Sequence, residues 1–304
     1  MRKHLRWAVL LTLVVAAPLA AQQDPAALVV RLQGQVQVRH GANTAPAAVG
    51  TRLVTGDGVL PASGARAILI TRTGAQQVVT QATTIEEPRG AGNPDLFARA
   101  MSTLAQAASA DARTAGGRQG MIRPIPGEPV LVAPRNGLTV TSDRPAFSWM
   151  PVEGAASYTL QLRKVDGGRP MRFEVAGTEW TLPADQAGLE TGATYAWTVA
   201  PKGGRPTREQ QFKVIGAEDN DVLTTTLGEV RAMGLDPMGD GLFLTAVIFR
   251  DLGLYYDADV ALGKLEKTSE LSADLYLLKG EILNVLGHEE EARKAFDKAD
   301  AMMR

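Results

Sequence analysis

The feature that most restricts this chain is that its C-terminal part matches itself. Displaced by 34 residues, Ala246 falls on Gly280, Phe249 on Leu283, Leu252 on Leu286 and Gly253 on Gly287. The register continues, with Ala258 on Ala292, Leu262 on Phe296 and Leu265 on Ala299. Small residues recur where two helices would cross, and glycine recurs where the chain would turn, so the period predicts stacked helical hairpins. The spacing places helices at roughly 241–252, 255–267, 272–286 and 289–302. A further helix over 221–233 has Asn220 or Asp221 as its cap and Gly234 as its stop. Two repeats bury too little to stand alone. That helix is therefore expected to cover one open end, while the far face, toward Met302, stays short or meets a second copy of the chain as a homodimer.

The other end of the sequence reads as an export signal. Arg2, Lys3, His4 and Arg6 precede an apolar run from Trp7 to Leu19, and small Ala20 and Ala21 come before polar Gln22. Thirteen apolar residues in a helix reach only ~20 Å against a hydrocarbon core of ~30 Å, so residues 1–21 are expected to be a cleaved signal peptide. The expected location is the periplasm or the cell surface. The chain has no cysteine, so no disulfide reinforces its folding in an oxidising compartment.

Two β regions follow, divided by a helix and a linker. In 28–87, short alternating runs are broken by glycine, as in Gly34-Gln35-Val36-Gln37-Val38, Gly56-Asp57 and Ala65-Arg66-Ala67-Ile68-Leu69. These residues resemble a FecR-type domain, which implies a small all-β fold of the bacterial envelope. That family's signalling role depends on a cytoplasmic N-terminal tail, and six residues before the apolar run are too few for one. Asp57 is read as a turn residue. Asn93-Pro94-Asp95 supplies a cap, a first-turn proline and a dipole-matched acid. The stripe Leu96, Phe97, Ala100, Met101 and Leu104 then predicts a helix within 93–110 that packs onto the β unit. Residues 111–128, rich in glycine and proline, read as a linker.

From 129 to 216, strands are marked by Phe147 and Trp149, by Tyr158, Leu160 and Leu162, and by Tyr195, Trp197 and Val199, with turn glycines between them. The pattern predicts a β-sandwich. Pro145 to Trp149 and Leu189-x-x-Gly192-x-x-Tyr195 resemble the early strand and the tyrosine corner of fibronectin type III and immunoglobulin-like modules. Trp149, Trp180 and Trp197 are read as core, with Trp180 the most exposed. The fold class is thus multidomain α+β: a small β domain, a β-sandwich and helical hairpins over 220–304.

The repeat resembles the tetratricopeptide family, in which the first helix of each pair lines a concave binding face. The resemblance implies partner-binding positions at Asp240, Phe243, Val247, Arg250, Asp274, Leu277, Glu281 and Asn284. That mixture suits a peptide or helix of a protein partner. Charge is divided as well. Residues 28–126 carry ten arginines, no lysine and five acids, whereas 221–304 carry nine basic and sixteen acidic residues. The two ends are expected either to attract each other or to steer a partner.

Nothing points to catalysis, a cofactor, a metal or nucleic acid. Beyond the signal, His40 and His288 are the only histidines, and they lie in different predicted domains. Asp236 to Gly241 lacks the ligands of a calcium loop and reads as a turn. The expected function is a non-enzymatic envelope scaffold. The alternatives are a cell-wall polysaccharide binder using the β domains, and a FecR-like signalling component that retains its N-terminal anchor.

Overall fold

The structure is a computed structural model that describes residues 24–89, 92–109, 113, 125–135 and 137–304. The signal-peptide reading and most of the linker reading lie outside these residues. No helix among the described residues is long and apolar enough to cross a membrane.

The first β unit is two four-stranded sheets. One runs β4 (Arg52–Leu53), β1 (Ala27–Gln33), β6 (Arg66–Thr71), β7 (Gln76–Val79); the other runs β3 (Asn43–Pro46), β2 (Val36–His40), β5 (Gly58–Pro61), β8 (Thr83–Thr84). Every pairing is antiparallel. Successive side chains on a strand point to opposite faces, and here both faces of β1 and β6 are covered. Ala27, Val29, Ala67 and Leu69 face the second sheet. Leu28, Val30, Ile68 and Ile70 belong instead to a core shared with the helices. Each such side chain contributes roughly 1.5–3 kcal/mol relative to exposure. Asp57 is the expected turn residue: its carboxylate accepts from Val54 N at 2.7 Å and lies 2.8 Å from His40 Nδ1.

Helix α1 (Pro94–Ala107) is capped by Asn93, whose side chain accepts from Asp95 N at 3.0 Å. Its apolar stripe is buried, but it does not rest mainly on the β unit. It touches β6 and is seated chiefly against two C-terminal helices described below.

The second β region is a sandwich with one five-stranded sheet, β10 (Leu138–Val140), β16 (Gln210–Val214), β15 (Thr194–Pro201), β12 (Tyr158–Lys164), β13 (Met171–Val175). The opposing sheet is β14 (Glu179–Thr181), β11 (Ala146–Trp149), β9 (Leu131–Ala133). Alternate residues of β12 and β15 face inward and meet Phe147 and Trp149 from β11 in a core of their own. Trp197 stands edge-on to Phe147 at 5.1 Å, and its Nε1 donates to Pro134 O at 3.0 Å. The Tyr195 hydroxyl accepts from Glu190 N at 2.9 Å and pins the approach to β15.

The C-terminal helices are α2 (Ala217–Ala232), α3 (Leu242–Asp251), α4 (Tyr255–Glu266), α5 (Ala273–Val285) and α6 (Glu289–Met302). Helix α2 begins four residues before Asp221: Gly216 is the cap, and Asn220 and Asp221 lie inside the first turns. It packs on α3. The pairs α3–α4 and α5–α6 are hairpins closed by Gly253 and Gly287, both at positive φ. Ala246, Ala258 and Ala292 are buried. At Gly280 a β-carbon would stand 2.4 Å from the Phe296 ring, so that crossing requires glycine.

These parts share one core. Across the α3 and α5 faces lie α1 and the outer face of β1 and β6. The loop between α4 and α5 also joins the β unit, with Val49 N donating to Glu270 O and Ser272 N donating to Val49 O, both at 2.9 Å. Leu138 and Ile215 attach the sandwich to the same cluster.

Candidate functional site

The eight sequence-derived positions fall on one face of α3 and α5 and in the turn before α3. Spacing by three and four along each helix puts them there. That face is not a free groove. Phe243 and Val247 are fully buried, and Leu277, Glu281 and Asn284 are nearly so. The expectation of an open partner-binding face is corrected by the chain itself, because α1 and the β1–β6 sheet lie on it. A core of about sixty residues is marginal by itself, and the apolar face of the hairpins covers what the first β unit leaves exposed.

The polar members of the set are occupied from within as well. Asp240 pairs with Arg31 of β1, and Arg52 Nε of β4 stands 2.8 Å from Asp274 Oδ2. Burial raises the Asp274 pKa above the ordinary carboxylate value, and Arg52 opposes that shift without cancelling it. Arg250 donates to Glu281 and, at 2.8 Å, to Gln106 of α1. Burial works against the charge on Arg250, but the hydrogen bond and charge of Glu281 outweigh it and hold its pKa above the usual guanidinium value. Thr103 of α1 donates to Asp251 at 2.6 Å, and Asn284 Nδ2 donates to Arg113 O at 2.9 Å. Arg113 in turn pairs with Asp300 at 2.7 Å and lies over the Phe296 ring at 5.1 Å. The opposed charges read from the sequence therefore meet inside the molecule.

The turn before α3 is closed by its own acids. Asp240 Oδ1 accepts from Asp236 N at 2.6 Å, and Asp236 Oδ1 accepts from Met238 N at 3.1 Å. Among the described residues no group of three histidine, cysteine or acidic side chains is placed to hold a metal. In the sandwich, Trp149 and Trp197 are core and Trp180 is half-buried, its ring 4.3 Å from that of Phe173.

A second concavity, of about 670 Å³, opens between α4 and α6 with α5 as its floor. Tyr276, Lys279 and Leu283 line it from α5, on the side of that helix turned away from Leu277, Glu281 and Asn284. Lysines 264, 267, 279, 294 and 298 surround it. The sequence reading passed over this place, although one signal was available: these five are all the lysines after Lys213.

No protein-family model matches the chain. No curated protein matches it either. Solved structures that do match include a myokine, at 19% identity and a TM-score of 0.23, over 30% of this chain and 99% of the other. Another is the FN1–FN3 domains of chicken CNTN1, at 10% identity and 0.22, over 60% of this chain and 53% of the other. A two-domain fibronectin type III segment of chicken tenascin matches at 14% and 0.21, over 63% and 84%. The chain thus spans about half of the CNTN1 segment. The sandwich rests on its strand order and core, and likenesses at these scores carry nothing about what the chain does.

Proposed function

We propose that this chain is a non-enzymatic scaffold of the bacterial envelope, exported by its N-terminal apolar segment. In this reading it is built from a FecR-like β unit, a fibronectin- or immunoglobulin-like sandwich and tetratricopeptide-like hairpins. The observation that carries the reading is that the inner face of the hairpins grips other secondary structure, an amphipathic helix and a sheet face, by apolar burial with charged bonds at the edges. Here the gripped elements belong to the same chain. The hairpins therefore serve to lock the β unit in place, and partner proteins meet the outer faces.

Affinity capture from the native envelope with the intact chain, run beside pelleting with purified wall glycan, tests this. A saturable set of retained proteins without pelleting is the expected result. Retention by glycan with no protein captured would overturn it.

A further inference from the structure

The groove between α4 and α6 is an outer face of the hairpins that no other described element covers. It is lined by α4, α5 and α6 and by the capping residues Lys267 and His288. From 221 to 304 the chain carries sixteen acids against nine basic residues, yet all five of its lysines there converge on this one place. A scattered, solvated set of lysines would not do so.

The cations are not equally engaged. Lys279 pairs with Glu266, Lys294 with Glu290 at 2.8 Å, and Lys298 donates to the Tyr276 hydroxyl while lying 4.2 Å from that ring's centre. Lys264 and Lys267 are exposed, and their ammonium groups make no hydrogen bond or ion pair with any described residue. They continue a stripe on α4 that begins with Tyr256, 57% exposed, and Val260, 38% exposed. Between these pairs lies Gly263. A β-carbon there would meet nothing within 4 Å, so packing does not require glycine. Glycine inside a helix weakens it relative to alanine, so this residue leaves a gap in the stripe at a cost to the helix.

We infer that this groove docks an acidic segment of a partner protein, seating a large apolar side chain in the Gly263 gap while its carboxylates meet Lys264 and Lys267. A bare polyanion fits less well. Asp259, Glu266 and Glu291 also line the groove and would repel it, while exposed Val260 and the lysine stems offer apolar contact it cannot use.

The inference deepens the scaffold reading by giving it a surface and a partner chemistry. A random-peptide phage library selected on the intact chain tests it, with the recovered peptides then measured on two variants. Lys264→Glu with Lys267→Glu reverses the free charge; Gly263→Phe fills the gap and leaves every lysine. Neither change touches a buried contact, and unchanged melting confirms folding. Recovered peptides should be acidic with an aromatic or long aliphatic residue. Each variant should weaken them about tenfold or more, and raising salt from about 0.05 M to about 0.5 M should do the same to the parent. Peptides without acidic bias, or affinities unchanged in both variants, overturn the inference. So does inorganic polyphosphate binding as tightly with the same dependence on Lys264 and Lys267. Envelope proteins captured equally by parent and variants would leave the scaffold standing and remove only this site.

Discussion

The sandwich keeps its apolar side chains to itself, whereas the first β unit divides its own between two cores. Among the described residues, Phe147, Trp149, Trp197 and Phe212 cluster with other sandwich side chains, and of the sandwich's buried apolar residues Leu138 and Ile215 join the helical cluster instead. In the first unit, neighbours along one strand part company, with Val29 facing the second sheet and Leu28 and Val30 facing the hairpins. A module with a sufficient core attaches at its edge, while one without must merge with what covers it. The first β unit, α1 and the hairpins are therefore expected to unfold together and the sandwich apart from them.

The largest effect tests that division directly. Phe243→Ala removes a ring from the centre of the shared core and should cost about 3–5 kcal/mol. Hydrogen-exchange protection should then fall in β1, β6 and α1 as well as in the helices, and stay unchanged in β12 and β15. Trp197→Ala, of similar cost, should give the reverse map. If either substitution lowers protection everywhere equally, the two cores are one cooperative unit and the comparison fails.

Glycine turns sharpen it next. Gly50 and Gly154 both stand at positive φ, 87° and 79°. A β-carbon at Gly50 would lie 2.6 Å from Ser272 Oγ and 2.8 Å from Leu275, whereas at Gly154 it would meet nothing within 4 Å. Gly154→Ala should cost only the left-handed strain, about 1–2 kcal/mol. Gly50→Ala should cost about 1–3 kcal/mol more, because it also pushes the loop between α4 and α5 off Val49. Urea midpoints of the two variants give the difference.

Much of this was legible in the residues. The 34-residue period located both hairpins, because helix crossings and turn glycines are local demands that a sequence must meet in place. Asn93-Pro94-Asp95 marked the start of α1 for the same reason. What covers the hairpins was harder to read, because their repeat fixes which face is apolar and says nothing about its occupant. One signal was nonetheless present. Ala26-Ala27-Leu28-Val29-Val30 and Ile68-Leu69-Ile70 do not alternate, and an unbroken apolar run marks a strand buried on both faces. Taking Ala65-Arg66-Ala67-Ile68-Leu69 as a simple alternating run misses the second face, carried by Ile68 and Ile70, and with it the second core. Asn220 and Asp221 misplaced the start of α2 because good capping residues also sit inside helices when the chain enters earlier, here from extended Gly216.

Ion pairs give the smallest effects and separate the regions by pH. Arg52→Ala strands the half-buried Asp274 carboxylate and should cost about 1–3 kcal/mol at neutral pH. Asp274 already titrates above its ordinary value of 3.8 through burial, and losing Arg52 raises it further. The cost is therefore full where the carboxylate must stay ionised, and it shrinks as pH falls through that raised value toward 3.8, since the protonated acid needs no cation. On the sandwich, Arg163 and Glu209 pair at 2.8 Å with both side chains 36% exposed. Water screens that pair, so Arg163→Gln should change stability by no more than about 0.2–1 kcal/mol. Half of even that should vanish in high salt, whereas the Arg52 effect should persist. Equal salt sensitivity at the two sites would mean that the contact between β4 and α5 is as wet as the open surface, and that the first β unit is held less tightly than its shared core implies.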